Sequence, residues 1–126
     1  MGAPTVPPLN EQWHSGGFLV SEANGHLSRD QVTLTGGVQV LAGTVLGKVT
    51  ASGFFAPLNP TASDGSQIAA AISYATHDVT TANKPATIID RNAEVNASEL
   101  IWPANVTPAQ IATATQQLAT VGVILR

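Results

Sequence analysis

Apolar and polar positions along the chain change rhythm three times. Residues 1–17 have no apolar periodicity and carry Pro4, Pro7, Pro8, Gly16 and Gly17, so they read as an extended arm and not as part of a core. From Phe18 the pattern becomes one of short strands. Phe18-Leu19-Val20 precedes a turn at Asn24-Gly25, and Val32-Thr33-Leu34 precedes a break at Gly36-Gly37. Val38 to Leu41, Thr44 to Leu46 and Lys48 to Thr50 follow with Gly43 and Gly47 between them. Glycines at those places predict the corners of a bent β-ribbon. After Phe54, Phe55, Pro57, Pro60 and an Asp64-Gly65 turn, the segments Ile68 to Tyr74 and Ala86 to Asp90 are the next strand candidates.

The third rhythm is helical. Thr107 can serve as the N-cap, Pro108 as the first helical residue and Gln110 as the return partner of a capping box. Ile111, Ala114, Leu118 and Val121 then recur as one apolar stripe, and Gly122 stands where a left-handed C-terminal cap belongs. Val123, Ile124 and Leu125 are too few for another helix and suffice for a short buried strand. The fold class is thus mainly β with a C-terminal helix (α+β), divided into an arm over 1–17 and a body over 18–126.

Composition narrows the function. At 126 residues the chain fits one domain that needs no metal or disulfide to fold. Without cysteine there is no thiol catalysis and no cysteine-ligated zinc, and the chain suits a reducing cytoplasm. Charged residues make up 10% of the sequence while hydrophobic content is 44%; the charged share of ordinary domains is about 25%. A surface built from Thr, Ser, Asn, Gln and Ala suits broad contact with other protein, because few charges must be desolvated. The net charge of −3 and the scatter of Arg29, Lys48, Lys84, Arg91 and Arg126 argue against direct nucleic-acid binding. No apolar run has the length of a membrane span, and the N-terminus has neither the basic region nor the apolar core of a signal peptide.

The common catalytic and ligand-binding motifs do not fit this sequence. Gly47-Lys48 invites a P-loop reading, but Ala42 stands where that motif needs glycine and Val49 where it needs Ser or Thr. His14, His26 and His77 are far apart and lack metal-helix spacing. His77-Asp78 with a distant serine has no nucleophile elbow around it. Asp64 and Asp78 form no calcium loop, and Asp90, Glu94 and Glu99 lack the context of an acid-base pair. Asn96-Ala97-Ser98 and Asn105-Val106-Thr107 fit the glycosylation pattern; without a secretion signal they read as turn and helix-start residues. The chain reads as a non-enzyme with no cofactor.

Four segments in a fixed order carry a resemblance. They are Leu41-Ala42-Gly43-Thr44-Val45-Leu46-Gly47-Lys48, Thr61 to Ala70, Ala93-Glu94-Val95-Asn96, and Glu99-Leu100-Ile101-Trp102-Pro103 ahead of the capped helix. In this order the chain resembles the head decoration protein D family, the small capsid-cementing proteins of lambda-like tailed phages. The resemblance implies a compact β-clip fold that forms homotrimers on the local three-fold axes of an expanded capsid. Its partner would be the major capsid protein of the shell. It places the protein on the outer surface of the virion head, after synthesis in the host cytoplasm, where it stabilises the shell against the pressure of packaged DNA.

In the family the N-terminal arm becomes ordered on the capsid, and residues 1–17 hold the matching position here, although their sequence hardly matches. Thr5, Val6, Leu9 and Trp13 are the candidate capsid-binding residues of the arm. Leu9 and Trp13 would share one face of an extended segment and fill apolar pockets while the backbone pairs with a strand edge. A disordered leader is the plain alternative. Trp102 and Pro103 are the candidate trimer interface, weighed against ordinary core packing, and an aromatic before proline is enriched in cis bonds. A competing function of another class is a β-rich carbohydrate- or surface-binding module, for which Trp13, Trp102, Tyr74 and three phenylalanines make a thin aromatic platform.

Overall fold

The computed structural model describes residues 14–126. The strands are β1 (Leu19–Glu22), β2 (Arg29–Leu34), β3 (Gln39–Val40), β4 (Val45–Lys48), β5 (Phe55–Pro57), β6 (Ala69–Ser73), β7 (His77–Asp78), β8 (Lys84–Ile89), β9 (Ala93–Val95) and β10 (Val123–Leu125). A 3-10 turn over Ala97–Glu99 and one helix, α1 (Pro108–Thr120), complete the described elements.

Five strands close into a barrel in the order β2-β5-β4-β6-β8. Its longest pairing is β2 against β8, antiparallel from Arg29↔Ile89 to Leu34↔Lys84. A three-stranded sheet, β1-β9-β10, lies beside it, and β3 pairs with β7 in a small ribbon. β4 and β6 are buried along most of their length, as strands covered on both faces are. Leu34, Leu46, Phe55, Ala71, Ala86 and Ile88 come from all five barrel strands and form one buried cluster, filling the barrel. The adjacent residues Val45, Ile72 and Ile89 point the other way, into a second cluster with Phe18, Ala93, Val95, Leu100, Ala114, Leu118 and Val123. Full burial of a Leu or Ile is worth about 1.5–3 kcal/mol, so this shared wall holds helix, sheet and barrel together.

The helix forms as its local sequence dictates. Thr107 Oγ1 accepts from Gln110 N–H at 3.2 Å, and Gln110 Oε1 accepts from Thr107 N–H at 2.9 Å, with Pro at the first turn. Thr113, Thr115 and Thr120 return their hydroxyls to carbonyls of the preceding turn, which satisfies these β-branched residues inside a helix. Ala114 and Leu118 are buried, Ile111 is half-buried and Val121 is exposed. The stripe ends early because Val121 is already the C-cap. Gly122 has φ +88°, and a Cβ there would come within 3.0 Å of Asn92 N. Gly122 thus lets β10 turn in beside β9, which it joins in parallel.

The central strands differ from the sequence expectation. The two segments expected on either side of Gly47 are one strand, β4, which contains Gly47. Gly43 does turn the chain, at φ +92°. Gly47 serves a close approach, since a Cβ there would strike the backbone of Ser66. β2 begins three residues before Val32 because Arg29, Asp30 and Gln31 pair with Ile89, Ile88 and Thr87. β5, β7 and β9 have no counterpart among the expected strands.

Candidate interaction surfaces

Trp102 and Pro103 follow a short parallel bridge between Thr44 and Ile101. Val45 N–H donates to Ile101 O at 3.1 Å, Ile101 N–H to Gly43 O at 2.9 Å, and Leu58 N–H to Val45 O at 2.9 Å. These bonds draw three distant segments around a cleft of about 170 Å³, walled by Val38, Leu41, Pro57, Leu58, Trp102 and Pro103. Trp102 is half-buried and packs against the cluster behind the helix. It therefore has both a core contact and a place in the cleft wall. The Trp102–Pro103 peptide is trans, as are all described peptides.

Leu58 also borders a second cleft, of about 190 Å³, formed with Pro60, Gln67 and the helix residues Ala109, Gln110 and Thr113. No charged residue lines either cleft. The whole stretch 100–125 carries no Asp, Glu, Lys, Arg or His. The helix and the two clefts thus form a neutral face with exposed Ala109, Ala112, Thr113, Gln116 and Val121. Such a face can be covered by protein without stranding a charge.

Charge gathers instead around β2 and the end of β8. Glu22 accepts from Arg29 Nε at 3.1 Å and Nη2 at 2.5 Å, and from Ser28 Oγ. The Arg29 hydrogen bonds hold the Glu22 carboxyl below its ordinary range against a smaller opposing effect of burial. Arg91 bonds Asp30 Oδ2, donates to Leu27 O at 2.9 Å, and lies 3.4 Å from Asp90 Oδ2. Burial, reinforced by the neighbouring Asp30 carboxyl, pushes Asp90 up to about 7, while its bond to Asp90 lowers Asp30.

Asp78 Oδ1 accepts from Thr80 N–H at 3.0 Å and Thr80 Oγ1 at 2.6 Å, a turn contact. His77 Nε2 is buried without a hydrogen-bond partner among the described residues, and burial lowers its pKa. No group of three His, Asp or Glu among the described residues could hold a metal ion, and no described helix is long and apolar enough to cross a membrane. Asn96 Oδ1 accepts from Ser98 N–H at 3.1 Å as the cap of the 3-10 turn. Of the aromatic residues, Phe18 and Phe55 are buried, and Tyr74 lies under the guanidinium of Arg29.

Thr5, Val6, Leu9 and Trp13 lie outside the described residues. The part of the 1–17 segment that is described, His14–Gly17, forms a turn bonded to the body through Gly16.

The sequence model of the bacteriophage lambda head decoration protein D family matches residues 8–123. The chain belongs to this family. The match runs from before Leu9 to β10 and takes in Trp13, Trp102 and Pro103. A search of curated proteins found no match. The head decoration protein D family is a structural component of the phage head. The capsid therefore becomes the place to look for this protein's partner, and the neutral face and the root of the N-terminal segment are the surfaces to weigh.

Proposed function

We propose that this protein cements the expanded phage head from its outer surface. Homotrimers at the local three-fold sites would clamp neighbouring copies of the major capsid protein against the pressure of packaged DNA, after synthesis in the host cytoplasm. The observation that carries this reading is the family match across 8–123.

Residues 1–17 form the shell-binding arm in this reading, with Thr5, Val6, Leu9 and Trp13 making the contacts. The arm backbone adds to a strand edge on the shell while Leu9 and Trp13 fill apolar pockets. Ordering a peptide costs about 1–2 kcal/mol per residue in backbone entropy. A single arm is thus a weak ligand, and three arms on one trimer gain by avidity. Trp102 and Pro103 belong to the contact between copies. The charge-free cleft they wall supports that role, as does the neutral helix face next to it. The β-clip character expected for the family is part of the same reading, supported by the antiparallel β4–β5 hairpin over Leu46–Pro57.

Co-sedimentation with undecorated, expanded capsids of the source phage tests the proposal. Full-length protein should bind saturably, and the 18–126 fragment should lose nearly all binding. Failure of the full-length protein to bind competent capsids would refute the reading.

A further inference from the structure

The N-terminal segment joins the body at a built junction. Gly17 N–H donates to His14 O at 3.0 Å and Leu19 N–H to Gly16 O at 3.0 Å, closing a turn, while Gly16 N–H donates to Tyr74 O at 2.9 Å. Gly16 has φ +70°, and a Cβ at that position would stand 2.7 Å from Tyr74 Cε2 and 3.2 Å from Cζ. Glycine is required here twice over, by the backbone and by the ring.

Tyr74 is itself held on three sides. Its backbone N–H donates to Thr87 O on β8 at 3.1 Å. Its ring packs on the buried cluster behind the helix. The guanidinium carbon of Arg29 sits 4.2 Å from the ring centroid, within cation–π range. Arg29 is in turn fixed by its two-pronged contact with Glu22. A chain of contacts therefore runs from the ion pair on β1 and β2, through the aromatic ring, to the backbone of Gly16.

A tethered peptide is captured in proportion to how well its root places it. Fixing the root in a binding-ready direction raises effective concentration and lowers the ordering cost at capture. We propose that Gly16, Tyr74 and Arg29 form an anchor that fixes the root of the N-terminal segment on the body and so tunes capsid affinity. This rests on the reading of residues 1–17 as the shell-binding arm. The anchor residues act by positioning the arm, whose proposed shell contacts are Thr5, Val6, Leu9 and Trp13.

Gly16→Ala in the full-length chain tests the anchor. The added methyl must displace either the turn or the ring, so affinity for undecorated expanded capsids should fall about tenfold or more as the avidity of misdirected arms is lost. The melting temperature should fall by about a few degrees while the body remains folded at the assay temperature, and amide exchange at residue 16 should lose its protection. Gly25→Ala is the matched control, since Gly25 also has positive φ, +64°, with nothing within 4 Å of its Cβ position; its capsid affinity should be unchanged. Arg29→Lys keeps the charge and loses the planar cover and two-pronged pairing. It should weaken binding to a smaller degree, and it carries the test if Gly16→Ala fails to fold. Wild-type affinity in both Gly16→Ala and Arg29→Lys, with the 18–126 fragment unable to bind, would overturn the anchor and leave the arm standing. Full binding by the 18–126 fragment would overturn the arm, and the anchor with it.

Discussion

Gln117 on the helix accepts a hydrogen bond from the backbone N–H of Ala69 at 2.8 Å. Ala69 is buried at the point where the β4–β6 ladder shifts register between Leu46 and Gly47. A bulge takes a strand N–H out of the regular ladder, and here a side chain from a helix 48 residues away accepts it.

Replacing Gln117 by Met keeps the length of the side chain and removes the acceptor. The Ala69 N–H is then buried and unpaired, which costs about 1–3 kcal/mol. Urea unfolding of the variant should show that loss with an unchanged denaturant slope. An unchanged midpoint would mean that water replaces Gln117 at this position.

Asp30 and Asp90 make the fold sensitive to pH. Asp90 Oδ1 is buried with no hydrogen-bond partner among the described residues. The charged groups around the Asp90 carboxyl are Asp30 from β2, which raises its pKa, and Arg91 beside it, which lowers it. Burial and Asp30 prevail, so the folded state holds the Asp90 proton up to about pH 7. A carboxyl raised on folding contributes stability that is complete below its unfolded value and is lost as pH rises through its folded value. Asp30, which is lowered, contributes in the opposite sense, and its share is lost only in stronger acid. The Asp90 share of stability should therefore decline from about pH 4 to about pH 7 and change little above, against the opposite trend of His77, whose pKa is lowered by burial. Asp90→Asn should flatten that decline and be the more stable protein in alkaline buffer. An equal decline in Asp90→Asn would contradict the assignment.

Trp102 stands between core and cleft, and one substitution separates its two contacts. Trp102→Ala should lower thermal stability, because Trp102 packs on the buried cluster, by up to about 3 kcal/mol for a half-buried ring. The proposed contact between copies adds a second effect, a fall in the number of copies bound per three-fold site at concentrations where the variant remains folded. Lost stability with undiminished occupancy would assign Trp102 to the core alone.

The elements legible in the sequence are those whose determinants are local. The capping box of Thr107 and Gln110, Pro108 in the first turn, and Gly122 after Val121 are all near neighbours in the chain, and the helix and β10 follow from them. The barrel was less legible because its determinants are pairings at long range. The polar residues Arg29-Asp30-Gln31 become strand only through partners on β8. Gly47 read as a corner because the approach of Ser66 to its backbone leaves no trace in local sequence. The cleft behind Trp102 unites Val38, Leu58 and Pro103, which no spacing relates. The anchor at Gly16 was hidden for the same reason: the glycine is visible, whereas Tyr74 and Arg29 reach it only through the fold.

The central claim concerns where the protein sits and in what number. The most direct measurement is electron cryo-microscopy of undecorated, expanded heads of the source phage after saturation with the full-length protein. The expected result is added density on the outer surface at the local three-fold sites, three copies to each site, continuous with a strand edge of the shell. Heads without added density at saturating protein, or density away from the three-folds, would contradict the proposal.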